Sequence, residues 1–283
     1  MRNEAEMTAL ILQVGQEIGV QAIAISGSRQ NPQVKRDRFQ DYDIVYIVDN
    51  LPELLAEPSW LKKFGPLMIM QTPETSVLSE PSLGGRFTFL MHFEDGNRID
   101  LMLCPLELIH LLQEEPFLER LYDPKELLEG MDFPDGSVYW IEPPTEAAFY
   151  DSCNEFWWVA TYVVKGLVRN QLLYATDHLY QICWQELLRQ YDWYLAHQAG
   201  YHFSTGKNHK DLPLYLSEEA FQRLTTLDFS SIASCGESLW RMAENFDEIA
   251  RKVSRQHQFS YHEEEAEKVK NYIHQWRSKA WRD

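Results

Sequence analysis

ISGSRQNPQVKRDRFQDYDIVYIV, residues 25–48, joins two apolar runs through a polar loop, and the polar residues of each run gather where it meets that loop. The run Ala22-Ile23-Ala24-Ile25-Ser26 stops at Gly27, which predicts a strand ending in a tight turn. Gly27 lets the backbone approach a ligand closely. With Ser28 and Arg29 it offers bare N–H groups, a hydroxyl and a guanidinium, a set suited to phosphate oxygens. Beyond the loop, Asp41-Tyr42-Asp43 opens Ile44-Val45-Tyr46-Ile47-Val48, and alternation along a strand puts Asp41 and Asp43 on one face. Two parallel carboxylates make half of a Mg²⁺ site.

Two further strand-like runs begin at Arg86 and Arg98, joined by Glu94-Asp95-Gly96-Asn97, and Asp-Gly in that place signals a hairpin. Asp100 interrupts the apolar pattern of the second run, Ile99, Leu101, Met102 and Leu103. A buried carboxylate is costly without a partner, and a metal shared with Asp41 and Asp43 would supply one. The chemistry expected of these residues together is metal-dependent phosphoryl transfer.

Gly-Ser, then Asp-x-Asp, then a single strand Asp is the pattern of the nucleotidyltransferase superfamily that includes DNA polymerase β. The ordered stretches SGSRQN, FQDYDI, FEDGNRIDL, CNEFWWVATYVVKGLVRN and STGKNHK resemble, more closely, the bacterial aminoglycoside 6-adenylyltransferases, which modify streptomycin. The resemblance runs from Ser26 to Lys210 and finds no departure at Gly27, Ser28, Asp41, Asp43 or Asp100; residues beyond 210 carry no matching motif. It implies an α+β chain: a nucleotidyltransferase domain with a mixed β-sheet flanked by helices over residues 1–144, and an α-helical bundle that binds the acceptor over 145–283.

Composition sets the bounds. With 283 residues, 45% of them apolar, the chain is long enough for two domains with real cores. A formal charge of −17 argues against a nucleic-acid partner, whose binding needs clustered Lys and Arg, and favours a cationic small molecule as well as plain solubility. Cys104, Cys153, Cys183 and Cys235 have neither paired nor metal-type spacing, so free buried thiols are expected. Neither a leader-like apolar segment nor a run of membrane-spanning length occurs, and a cytoplasmic location is expected.

Met7, Leu10, Ile11, Val14 and Ile18 predict an amphipathic helix closed by Gly19. Leu67-Met68-Ile69-Met70 adds a strand after Gly65-Pro66, residues 105–113 a short helix, and the proline-punctuated text up to Pro143-Pro144 reads as irregular. Thr145 then caps a helix to about residue 169, along which Asp151, Glu155, Trp158, Tyr162 and Lys165 share one face and Phe156, Val159, Val163 and Leu167 another. That polar and aromatic face suits either solvent or, with the resemblance, a substrate cleft. A second helix carries Asp177 and His178, and further stripes such as Leu239, Met242, Phe246, Ile249 and Val253 predict bundle packing.

The resemblance implies transfer of AMP from ATP to an aminoglycoside hydroxyl, with the 6-hydroxyl of streptomycin the expected acceptor. Asp41 and Asp43 would hold Mg²⁺, two ions with bound ATP, and Asp100 would complete the metal site or act as general base. Gly27, Ser28 and Arg29 would meet the phosphates, with Lys165 and Lys207 neutralising the leaving pyrophosphate. Asp151, Glu155, Trp158 and Asp177 are the expected acceptor-binding residues, acids beside an aromatic wall being suited to a polycation. Two other readings stand beside this one: a protein or different small-molecule acceptor, and a catalytically silent protein that binds a nucleotide or antibiotic. A monomer and a homodimer are both compatible with the sequence.

Overall fold

Runs rich in β-branched and aromatic residues become the strands of one sheet, and the strands order themselves so that the carboxylate-bearing pair lies at its centre. The computed structural model describes residues 1–280 apart from Gln33, Ser79 and Ser82, with the side chains of residues 278–280 left out. Gln33 of the expected polar loop therefore lies outside the described residues. The chain divides into two compact units, Met1–Val138 and Tyr139–Asp283.

In the first unit α1 (Glu4–Glu17) is opened by an Asn3–Glu6 capping box and followed by β1 (Ala22–Ser26), β2 (Tyr42–Val48), the short α2 (Leu51–Ala56), β3 (Leu67–Gln71), β4 (Phe87–Phe93), β5 (Arg98–Pro105) and β6 (Glu119–Tyr122). The sheet runs β3-β4-β5-β2-β1-β6. Among the described residues, β2 and β5 pair in parallel and the other four pairs are antiparallel, so the sheet is mixed. Strand β6 was not expected: Glu119-Arg120-Leu121-Tyr122 has no apolar run, and it is an edge strand held by the outer side of β1. The expected helix over residues 105–113 is a tighter 3₁₀ segment, Leu106–Glu114.

The two faces of the sheet are covered unequally. Ile23, Ile25, Ile44, Tyr46, Phe89, Met91, Ile99 and Leu101 form the larger core with Met7, Ile11 and Val14 of α1 and with Trp60 and Phe64. The opposite face has a smaller core, Ala22, Ala24, Val45, Ile47 and Cys104 under Leu112, Leu118 and Leu128. Alternation puts Asp41, Asp43 and Asp100 on this second face, ahead of the positions that the small core covers.

The second unit is helical: α3 (Glu146–Val168), α4 (Leu172–His178), α5 (Trp184–Gln198), α6 (Glu218–Thr225), α7 (Ile232–His257) and α8 (Glu263–Ala280). Thr145 caps α3 through Ala148, as its sequence predicts. One turn of wider π-helix, Leu179–Cys183, joins α4 to α5, so the expected second helix is continuous but locally unwound. Phe156 stacks on Phe246 at 3.7 Å in the core between α3 and α7. All four cysteines are free and buried, and burial pushes the Cys104 thiol up to about 11. Among the described residues, no helix is long and apolar enough to cross a membrane.

Candidate active site

The antiparallel register of β1 and β2 sets Ser26 opposite Asp43, so the turn that follows Ser26 lies beside the Asp43 side chain. Gly27 has φ +72°, and a Cβ there would fall 2.1 Å from Asp43 Oδ2. No side chain fits that space. Both the backbone conformation and the carboxylate therefore require glycine.

The parallel register of β2 and β5 does the rest. Asp43 is the partner of Asp100, and Tyr42 is the partner of Ile99, which brings Asp41 level with Arg98. Neighbouring strands are about 4.8 Å apart, so the carboxylates on this face belong to one cluster. Of the five core residues predicted from the sequence, Gly27, Ser28, Asp41, Asp43 and Asp100 all come to this end of the sheet.

Arg98 is the residue that sequence reasoning missed. Its Nε and Nη2 donate to Asp100 Oδ1 and Oδ2 at 2.9 and 2.8 Å, and its Nη1 lies 3.3 Å from Asp41 Oδ2. Both Asp100 oxygens thus accept from one guanidinium fork. Burial raises the Asp41 carboxyl above the usual range, opposed by Arg98 and reinforced by Asp100. Among the described residues, no three His, Cys, Asp or Glu side chains are grouped closely enough to hold a metal ion by themselves. The only signal of Arg98 in the sequence is its place two residues before Asp100, on the same strand face.

Arg29 occupies a different position from the one its neighbours suggest. It is 6% exposed, lies 3.7 Å over the Tyr42 ring, and donates to the backbone carbonyls of Gln40 and Asp41 at 2.8 and 2.9 Å. Gln40 Nε2 in turn donates to the Ser28 carbonyl. The Gly-Ser turn and the start of β2 are thereby tied together, which fixes where Asp41 and Asp43 emerge.

The residues expected to bind the acceptor lie on α3 and α4 of the helical unit. Gly166 permits α4 to approach α3: a Cβ there would lie 2.9 Å from the Tyr174 ring and 3.1 Å from Ala175. That approach gathers Tyr162, Lys165, Tyr174 and His178. Lys165 Nζ lies 4.4 Å from the Tyr162 ring centre and 5.4 Å from that of Tyr174, and Tyr162 packs edge-on against His178. Trp158 is 58% exposed and donates its indole N–H to the Tyr162 hydroxyl at 2.8 Å. Asp151 and Glu155 continue the exposed face toward the start of α3, and Asp177 is exposed on α4. The arrangement is an aromatic platform around Lys165, with exposed carboxylates elsewhere on the same two helices.

Lys207 is exposed in the loop after α5. Asp192 steadies that loop: Thr205 donates to its Oδ1 at 2.8 Å, with His209 Nδ1 3.3 Å from the same oxygen. Asn208 and His209 both have positive φ there, a conformation that a held loop sustains.

A family model described as streptomycin adenylyltransferase matches residues 1–276. An aminoglycoside 6-adenylyltransferase of Staphylococcus aureus is 36% identical over 277 residues, 96% of this chain and 98% of that protein. One of Bacillus subtilis (strain 168) is 37% identical over 90% of this chain and 91% of its own, and one of Campylobacter jejuni 35% identical over 96% and 95%. A crystal structure of an aminoglycoside 6-adenyltransferase from Bacillus subtilis aligns with 98% of this chain and 99% of its own, at 33% identity and a TM-score of 0.48.

Proposed function

The chain belongs to the streptomycin adenylyltransferase family, and from that premise we propose that it transfers AMP from ATP to an aminoglycoside, with the 6-hydroxyl of streptomycin as acceptor. The observation that carries the reading is the convergence of Gly27, Ser28, Asp41, Asp43 and Asp100 at one end of the sheet. Mg²⁺ fits the donor set, because every ligand offered is a carboxylate oxygen and one or two of these with substrate phosphates complete its usual shell. Asp41 and Asp43 would hold it, with Asp100 at the edge of the site. Bound there, it would neutralise phosphate charge and orient the α-phosphate.

The remaining work belongs to the protein. Gly27 and Ser28 would present an N–H and a hydroxyl to the phosphates, on a turn that Arg29 and Gln40 keep rigid. Asp100 would take the proton from the drug hydroxyl as its oxygen bonds to the α-phosphorus. The bond from that phosphorus to the bridging oxygen then breaks, and pyrophosphate leaves with the electron pair. Lys165 and Lys207 would meet its growing charge. Trp158 and Tyr162 would stack against the guanidinium groups of the drug while Asp151, Glu155 and Asp177 pair with them.

The test is incubation with each nucleoside triphosphate, Mg²⁺ and an aminoglycoside panel, read by mass spectrometry. The expected product is streptomycin carrying one AMP on its 6-hydroxyl. Unmodified drug throughout would refute the reading, and AMP found on a protein would replace the acceptor class.

A further inference from the structure

The guanidinium of Arg98 occupies the ground that a metal among these carboxylates would need. It forks onto both oxygens of Asp100 and reaches Asp41, so the cation now seated in the cluster is a side chain. Such a seat has two consequences. A dication entering beside it meets like charge, which disfavours metal binding on its own. Asp100, with a lone pair of each oxygen engaged by the fork, is also held in the orientation that Arg98 sets.

Arg98 is nevertheless able to leave. Its side chain is 42% exposed, and among the described residues its side-chain partners are these carboxylates, without the backbone carbonyls that anchor Arg29. A guanidinium fork suits phosphate oxygens as well as it suits carboxylates. The triphosphate therefore offers Arg98 an equivalent partner at the moment its charge supplies the metal with further ligands.

We propose that Arg98 is an exchangeable counter-ion: it holds the carboxylate cluster closed until metal and nucleotide arrive together, then moves to the phosphates and releases Asp100. The inference rests on the assignment of this cluster as the metal and nucleotide site. It makes metal binding conditional on the nucleotide, and Arg98 a positioning residue for Asp100 before the reaction and a phosphate partner during it.

The test compares wild type with Arg98→Gln and Arg98→Lys, using Mn²⁺ followed by electron paramagnetic resonance, with and without α,β-methylene-ATP. Arg98→Gln should bind Mn²⁺ alone about ten-fold or more tightly than wild type, because a like charge has been removed. Its kcat should nevertheless fall, since the phosphates have lost a partner. Arg98→Lys keeps the charge and loses the fork, so its Mn²⁺ affinity should lie between the two; it also serves if the glutamine variant does not fold. Metal affinity unchanged or weakened in both variants overturns the inference while leaving the site in place. Failure of wild type to bind Mn²⁺ at the cluster even with the analogue overturns the site assignment, and the inference with it.

Discussion

Gly27 shows how much one residue carries at this site. It has a positive φ, and its α-carbon lies against the Asp43 carboxylate. Gly27→Ala must therefore either strain the turn or push Asp43 aside. The expected cost is about 1–3 kcal/mol of stability, typical of a residue forced into a sparsely populated region. Adenylyl transfer should be lost altogether. Thermal melting and the mass-spectrometric assay report the two effects separately, and full activity in a folded Gly27→Ala protein would contradict the close approach. The residue scale also marks where sequence reading stops. Asp41, Asp43 and Asp100 are legible because charge in an apolar strand demands an explanation. Arg98 and Arg29 are not, since an arginine at a strand end or in a polar loop is ordinary. Only the register opposite Asp41 gives Arg98 its meaning, and only the carbonyls of Gln40 and Asp41 give Arg29 its own.

Elements were legible in proportion to the strength of their periodicity. The helix α3 declares both its faces in sequence, and the structure buries Phe156, Val159, Val163 and Leu167 while leaving Asp151, Glu155 and Trp158 exposed. Strand β6 declares nothing, because two exposed and two half-buried residues on a sheet edge need no alternation to pair. The π-turn between α4 and α5 is equally silent, being a local change of winding within an unbroken helical pattern. The platform on α3 and α4 carries an expectation of its own. Glu155→Gln and Asp177→Asn should each raise the KM for streptomycin about ten- to a hundred-fold, the loss of one charge-assisted contact. The KM for ATP should change little. Steady-state kinetics with each substrate varied in turn decides it, and a selective loss of ATP affinity would reassign these helices to the nucleotide.

At the scale of the whole molecule, a formal charge of −17 creates a field that attracts cations from a distance. Raising the ionic strength from about 0.05 M to about 0.5 M shortens the screening length several-fold and should lower kcat/KM for streptomycin severalfold. For ATP the same change should leave kcat/KM level or raise it. Stopped-flow or initial-rate measurements across the salt series test the pair together, and parallel trends for both substrates would remove charge as the cause. The parallel pairing of β2 with β5 has a kinetic side as well. Asp43 and Asp100 meet only through that pairing, and β3 and β4 lie in the chain between them. Contacts so distant in sequence form slowly, because a long loop must close before they repay its lost entropy. A nascent chain could wind α1 and zip β1 to β2 as soon as those segments emerge, yet it would hold no complete carboxylate cluster until β5 had found its place. During refolding, helical circular dichroism should accordingly return first, and the power to bind metal with nucleotide should return with the slowest step of the sheet.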